Sequence, residues 1–150
     1  MQTGGYDTHA SQGAGSQATG AYYNLMATIN DAILAFYVDM QNQGLLGQTT
    51  LLEFSEFGRR VAENGTQGTD HGEGGVMFAI GGAVRGGIYG TAPNLNPFQG
   101  NPTLSSGGGD VRWEIDFRRV YAEVLDRWLG ASSVAVLGGD YRNYVGILPA

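Results

Sequence analysis

Tyr22, Met26, Ile29, Ile33, Phe36, Tyr37 and Met40 recur at spacings of three and four. That pattern predicts a helix over 19–43 with one apolar face, stopped by Gly44 and Gly47. A second run is unbroken: Phe117, Val120, Tyr121, Val124, Leu125, Trp128 and Leu129. It predicts a helix over 117–129, with Asp116 as N-cap and Gly130 as stop. Between them, Thr49–Phe54 and Val76–Ile80 are short apolar runs that read as strands, and Val134–Leu137 reads as a last one. Ile88-Tyr89 reads as a short extended piece. Residues 1–18 are polar and flexible, 63–75 form a glycine-punctuated loop, and 81–109 are mostly loop. Helix, strand, loop, strand, loop, helix, strand is the order of an α/β layering with short, buried, parallel strands.

A chain of 150 residues, 42% hydrophobic, is one domain with a core of its own. No apolar run is long enough to span a membrane, and no basic-then-apolar leader is visible at the start. With no cysteine, disulfides and thiolate metal sites are excluded. The net charge of −6 argues against nucleic-acid binding. All eight basic residues are arginine, so Schiff-base and P-loop lysine chemistry are excluded too. Arginine is left as the permanent cation able to grip an oxyanion with its planar fork.

Both histidines of the chain lie beside an aspartate in small, polar surroundings. One is in Gly68-Thr69-Asp70-His71-Gly72, the other in Gly4-Gly5-Tyr6-Asp7-Thr8-His9. Carboxylate and imidazole suit zinc or a similar divalent ion. Glycines let the backbone turn sharply around such a site. If the strands share one sheet, Asp7 and His9, after a stub of strand, converge with Glu56, Asp70 and His71 on the carboxyl edge, where α/β folds bind ligands. Each has a plainer reading. Asp70 satisfies its own turn, Glu56 is a solvated carboxylate, Arg59 and Arg60 pair with nearby glutamates, and Asp116 caps its helix. The aromatic stripes on the helices are core. Gly81-Gly82 and Gly86-Gly87 make no dinucleotide fingerprint, because no suitable helix opens there.

Gly4-Gly5-Tyr6-Asp7-Thr8-His9-Ala10, Ser55-Glu56-Phe57-Gly58-Arg59, Gly68-Thr69-Asp70-His71-Gly72 and Ile80-Gly81-Gly82-Ala83-Val84-Arg85-Gly86-Gly87 occur in that order. Over roughly residues 3–130 the ordered set resembles the C-terminal part of a bacterial family of unknown function within the alkaline phosphatase and sulfatase-like superfamily. Members of that family usually carry twin-arginine export signals. The resemblance implies a truncated three-layer α/β sandwich, with a mostly parallel sheet flanked by helices, forming a single domain over 1–150. It implies a divalent metal centre, often two zinc ions, and hydrolysis of phosphate and sulfate esters. The superfamily's Asp–His pair maps onto Asp70 and His71, and a second Asp and His map less closely onto Asp7 and His9. The family's nucleophile, a further Asp ligand and a third histidine have no counterpart in this chain.

The expectation is therefore a permissive metal-dependent ester hydrolase acting on small phosphate-type or sulfate esters. Asp7, His9, Asp70 and His71, wholly or in part, hold zinc, manganese or another first-row ion. Glu56 takes a proton from water and Arg59 stabilises developing charge. A homodimer is expected, since a sheet that has lost its neighbours leaves an edge uncovered. The alternative is a non-catalytic, self-associating structural or metal-binding module.

Overall fold

The computed structural model describes residues 4–13, 20–96, 100–105 and 109–150. Residues 1–3 and 14–18 of the expected flexible stretch, residue 19 of the expected first helix, and 97–99 and 106–108 of the expected loop lie outside the described residues. The first helix, α1, runs Ala21–Asn42 and gives way to Gly44 in the left-handed region at φ 69°. Met26, Ile29, Ile33, Tyr37 and Met40 form its half-buried face. Ile33, Phe36 and Tyr37 line a small cavity together with Leu46, Thr49, Leu51 and Ile80, so this face lies against the strands that follow. No residue of α1 is fully buried.

After a 3-10 turn at Leu46–Gln48, four short strands follow: β1 (Thr50–Glu53), β2 (Gly58–Arg59), β3 (His71–Gly72) and β4 (Phe78–Gly81). They make two separate two-stranded sheets, β1 with β4 and β2 with β3. Both are antiparallel, β1–β4 pairing Thr50 with Gly81 through Glu53 with Phe78. The expected truncated three-layer sandwich with a mostly parallel sheet is therefore wrong. Parallel pairing needs a crossover of a dozen or more residues, usually a helix. Here the 24 residues between β1 and β4 contain β2, β3 and glycine loops but no helix, so the chain doubles back on itself. Residues 4–13 likewise hold no strand, so the expected strand stub before Asp7 is absent among the described residues.

The second helical segment starts where its pattern says. The Asp116 side chain accepts from the Arg118 backbone N–H, and α2 spans Phe117–Glu123. It continues as a π turn over Val124–Trp128. A wider turn rotates the apolar stripe out of phase, and Leu129 ends 62% exposed. Val134–Leu137, expected as a strand, belongs to a short helix, α3 (Ser133–Leu137). Ser132 caps it by accepting from Ala135 N–H, and Gly138 ends it at φ 68°. Caps at both ends outweigh the β-branched valines.

The core is small. Val120, Ile147 and Leu148 are its buried centre, with Leu52, Met77, Ala79, Val84, Val124, Trp128 and Val145 packed around them. It thus joins α2, the β1–β4 ribbon and the C-terminal segment. Glu123 lies wholly buried in this seam. Its carboxylate accepts from the backbone N–H groups of Gly146 (2.7 Å) and Leu148 (2.9 Å) and pairs with Arg127 at 3.2 Å. Each of those donors left unpaired costs about 1–3 kcal/mol, so the carboxylate fastens the C-terminal segment to α2.

Candidate metal centre

The β2–β3 ladder sets Arg59 opposite His71 and Gly58 opposite Gly72. Opposed residues of an antiparallel pair share a face, which puts the guanidinium and the imidazole side by side. The N-terminal segment then crosses this face. Ser11 N–H donates to Thr66 O, Gln12 N–H to Gln67 O and Thr69 N–H to Thr8 O. Arg59 grips the same segment, donating from Nη2 to Tyr6 O at 3.0 Å and to Asp7 Oδ1 at 2.7 Å, and from Nη1 to Thr69 O at 2.7 Å. Thr8 is buried while Asp7 and His9 on either side of it are exposed, so those two side chains stand outward together.

Three donor atoms meet there. His9 Nε2 and His71 Nε2 are 3.0 Å apart. Asp7 Oδ1 lies 2.9 Å from His71 Nε2 and 3.1 Å from His9 Nε2. The triangle is nearly equilateral. Tetrahedral ligands at about 2.0–2.1 Å from zinc stand about 3.3 Å from one another, so only a slight opening would admit the ion. Three lone-pair-bearing atoms at such distances need protons or a cation between them, and the donor set is one that could hold a divalent ion. Two histidines and one carboxylate, with positions left open, is the ligand count of catalytic zinc sites and of non-haem iron(II) sites. The side chains of Asp7, His9 and His71 are 52%, 47% and 45% exposed, so the cluster opens to solvent.

Of the residues singled out in the sequence, Asp7, His9 and His71 form this group. Asp70 stands behind it, with Oδ1 3.5 Å from His9 Nδ1, on the ring nitrogen that faces away from the triangle. Arg59 is engaged with Asp7 and two carbonyls, whereas Arg60 pairs with Asp110 at 3.3 Å. Glu56 is exposed in the turn after β1 and has no hydrogen-bond or ion-pair partner among the described residues. The Asp7 carboxyl is held below its ordinary pKa by the hydrogen bond with His71, then by Arg59 and the nearby ring charges, against partial desolvation. Asp70 is held down by the hydrogen bond from Asn64 first, and then by His9.

Sequence reasoning missed two residues that shape the site. The Phe57 ring stacks on His71, with centroids 3.6 Å apart and planes at 14°, and fixes the imidazole plane. Asn64 bridges the two histidine motifs, donating from Nδ2 to His9 O at 2.9 Å and to Asp70 Oδ1 at 3.0 Å. Its place in Asn64-Gly65, at the head of a glycine turn, was the available signal, since asparagine in such turns bonds the backbone two residues on.

Helices packed on antiparallel ribbons, with an exposed two-histidine, one-carboxylate cluster, define a small α+β chain with a candidate metal centre. The chain belongs to the family described as a protein of unknown function, DUF1501, which it matches over residues 1–136. Neither a curated protein nor a solved structure matches it.

Proposed function

We propose that the chain carries the metal centre of a hydrolase for phosphate-type or sulfate esters, with Asp7, His9 and His71 as the ligands of one divalent ion, zinc or manganese. The convergence of their three donor atoms supports this reading above all. When bound, such an ion supplies Lewis acidity and lowers the pKa of the water it holds toward neutrality. The protein's part is to hold the three donors on one side and leave the other open to a small ester. Arg59 fixes the Asp7 carboxylate. Phe57 fixes the His71 ring. Glu56, free and close in sequence to both, is the base in this proposal. The reaction class rests on the resemblance to phosphatases and sulfatases drawn from the ordered motifs.

The test is hydrolysis of p-nitrophenyl phosphate, bis-p-nitrophenyl phosphate and p-nitrophenyl sulfate by protein loaded with zinc or manganese. Chelation should abolish turnover and added metal restore it. His71→Ala should cost at least about tenfold, because each ligand helps to fix the ion. Turnover unchanged by both treatments would defeat the proposal.

A second reading is a non-catalytic metal staple. Residues 4–13 have no regular secondary structure and are tied by hydrogen bonds to the loop at 64–71. In that case chelation exposes the N-terminal segment to protease, and no ester is turned over with metal present.

A further inference from the structure

The β1–β4 ribbon lies between two helices and yet has only two strands. Leu51 and Ile80 face Ile33, Phe36 and Tyr37 of α1, while Leu52 and Ala79 pack with Val120 of α2. In an antiparallel pair, alternate residues turn both N–H and C=O away from the partner strand. Apart from Gly81 O, which accepts from Val84 N–H, no backbone group of β1 or β4 bonds to anything outside the ribbon among the described residues. A row of unpaired backbone donors and acceptors is a template for another strand, and proteins blunt it with charge, proline, a bulge or a covering element. The β4 edge carries none of the first three. Between Glu73 and Arg85 the chain has no charged residue and no proline, and the ladder from Thr50–Gly81 to Glu53–Phe78 runs without a bulge. β1, by contrast, ends in Glu53, with Glu56 shortly beyond.

We infer that the free edge of β4 pairs with β4 of a second copy of this chain, antiparallel about a two-fold axis normal to the ribbon, so that the strand order across the dimer is β1–β4–β4–β1. Charge chooses the occupant. Self-pairing opposes an edge to its own sequence, and like charges set opposite each other destabilise a ladder. Two β1 edges would bring their glutamates together, whereas two β4 edges have no charge to oppose. The apolar residues choose the register. Alternation carried one step before β4 puts Val76 in the row of Phe78 and Ile80. Ile80 is covered by α1, but Phe78 is 37% exposed and Val76 80%. The opposite row, Met77 and Ala79, is already packed against the core. A two-fold axis through Phe78 sets the two Phe78 residues opposite each other, and Ile80 of each copy opposite Val76 of the other. The axis keeps both α1 helices on one face of the joined sheet. α1 of one copy, seated over its own Ile80, then reaches the exposed Val76 of the other. A contact of this kind closes at two copies.

The chain has no cysteine, so a single introduced thiol reports contact between copies and nothing else. Phe78→Cys lies on the axis, and a short bismaleimide should link its two copies at low micromolar concentration. Val76→Cys should not link, because in this register the two Val76 positions stand about 13 Å apart along the strands. Light scattering should give twice the 15.8 kDa of one chain for the unaltered protein. Val76→Lys should bring the mass down to one chain with circular dichroism unchanged, since Val76 is exposed within one copy and opposed to Ile80 only between copies. A monomeric wild type, a Val76→Lys protein that stays dimeric, or linkage at Val76 as efficient as at Phe78 overturns the inference. Growth beyond a dimer overturns it too, because β4 of one copy would then be taking β1 of the next. Should Phe78→Cys fail to fold, Val76→Lys decides the point alone.

Discussion

Gly68 has no side chain because the N-terminal segment runs against its α-carbon. A β-carbon there would collide with the backbone carbonyl groups of Thr8 and His9. This is the contact where the two histidine motifs cross, so even one methyl group pushes His9 away from His71. Gly68→Ala should leave the helical circular dichroism unchanged and weaken zinc binding more than tenfold, since a displaced ligand costs at least what a displaced supporting residue does. Isothermal titration is the check, and wild-type affinity in the variant would mean the crossing does not set the site. Gly72 meets the Arg59 backbone in a similar way across the β2–β3 ladder. Glycine in this loop therefore serves close backbone approach on two sides of the cluster.

The short α3 stays in place through one carboxylate. Asp126 accepts from Ser133 N–H at 2.8 Å, from the Ser133 hydroxyl at 2.6 Å and from the Tyr144 hydroxyl at 2.6 Å. The bonds from Ser133 first, then that from Tyr144, hold its pKa below the ordinary 3.8. A carboxyl whose folded pKa is depressed stabilises the fold above its unfolded value and loses that contribution as pH falls through the folded one. The fold should thus keep this contribution at neutral pH and shed it below about pH 3.8. In Asp126→Asn, thermal stability at neutral pH should drop and its acid fall below that pH should flatten. An acid limb as steep as that of wild type would place the sensitivity elsewhere. Elements were legible in the sequence where one local signal dominates. The period of α1 and the Asp116 cap of α2 are such signals, and both elements lie where they were expected. α3 was misread because two valines within five residues resemble a strand, while Ser132 and Gly138 outside the run carry the helix signal. Strand direction was illegible, since it depends on what joins the strands and not on the strands themselves. Within the site, Asp7, His9 and His71 were legible as donors. The split of Asp70 from His71 was not, because it is set by Asn64 from outside the motif.

At the scale of the molecule, the fully buried apolar residues among those described are few: Leu104, Val120, Ala122, Ile147 and Leu148. α1 contributes none, and Leu34 and Val38, one turn apart on it, are 56% and 41% exposed. No helix among the described residues is long and apolar enough to cross a membrane. Exposed apolar residues one turn apart on a long helix favour self-association, and on that ground we propose a homodimer. Light scattering at low micromolar concentration should give twice the 15.8 kDa of one chain. Leu34→Glu together with Val38→Glu should return it to monomer. A monomer in the unaltered protein would remove the dimer from the account. The central claim is narrower: Asp7, His9 and His71 bind one divalent ion, and Asp70 supports His9 from behind. Anomalous diffraction at the zinc absorption edge, from crystals of zinc-loaded protein, tests it most directly. The account predicts one peak within about 2.0–2.2 Å of Asp7 Oδ1, His9 Nε2 and His71 Nε2, with Asp70 outside bonding distance. No peak at the cluster, or a peak ligated by Asp70 in place of His9, would contradict it.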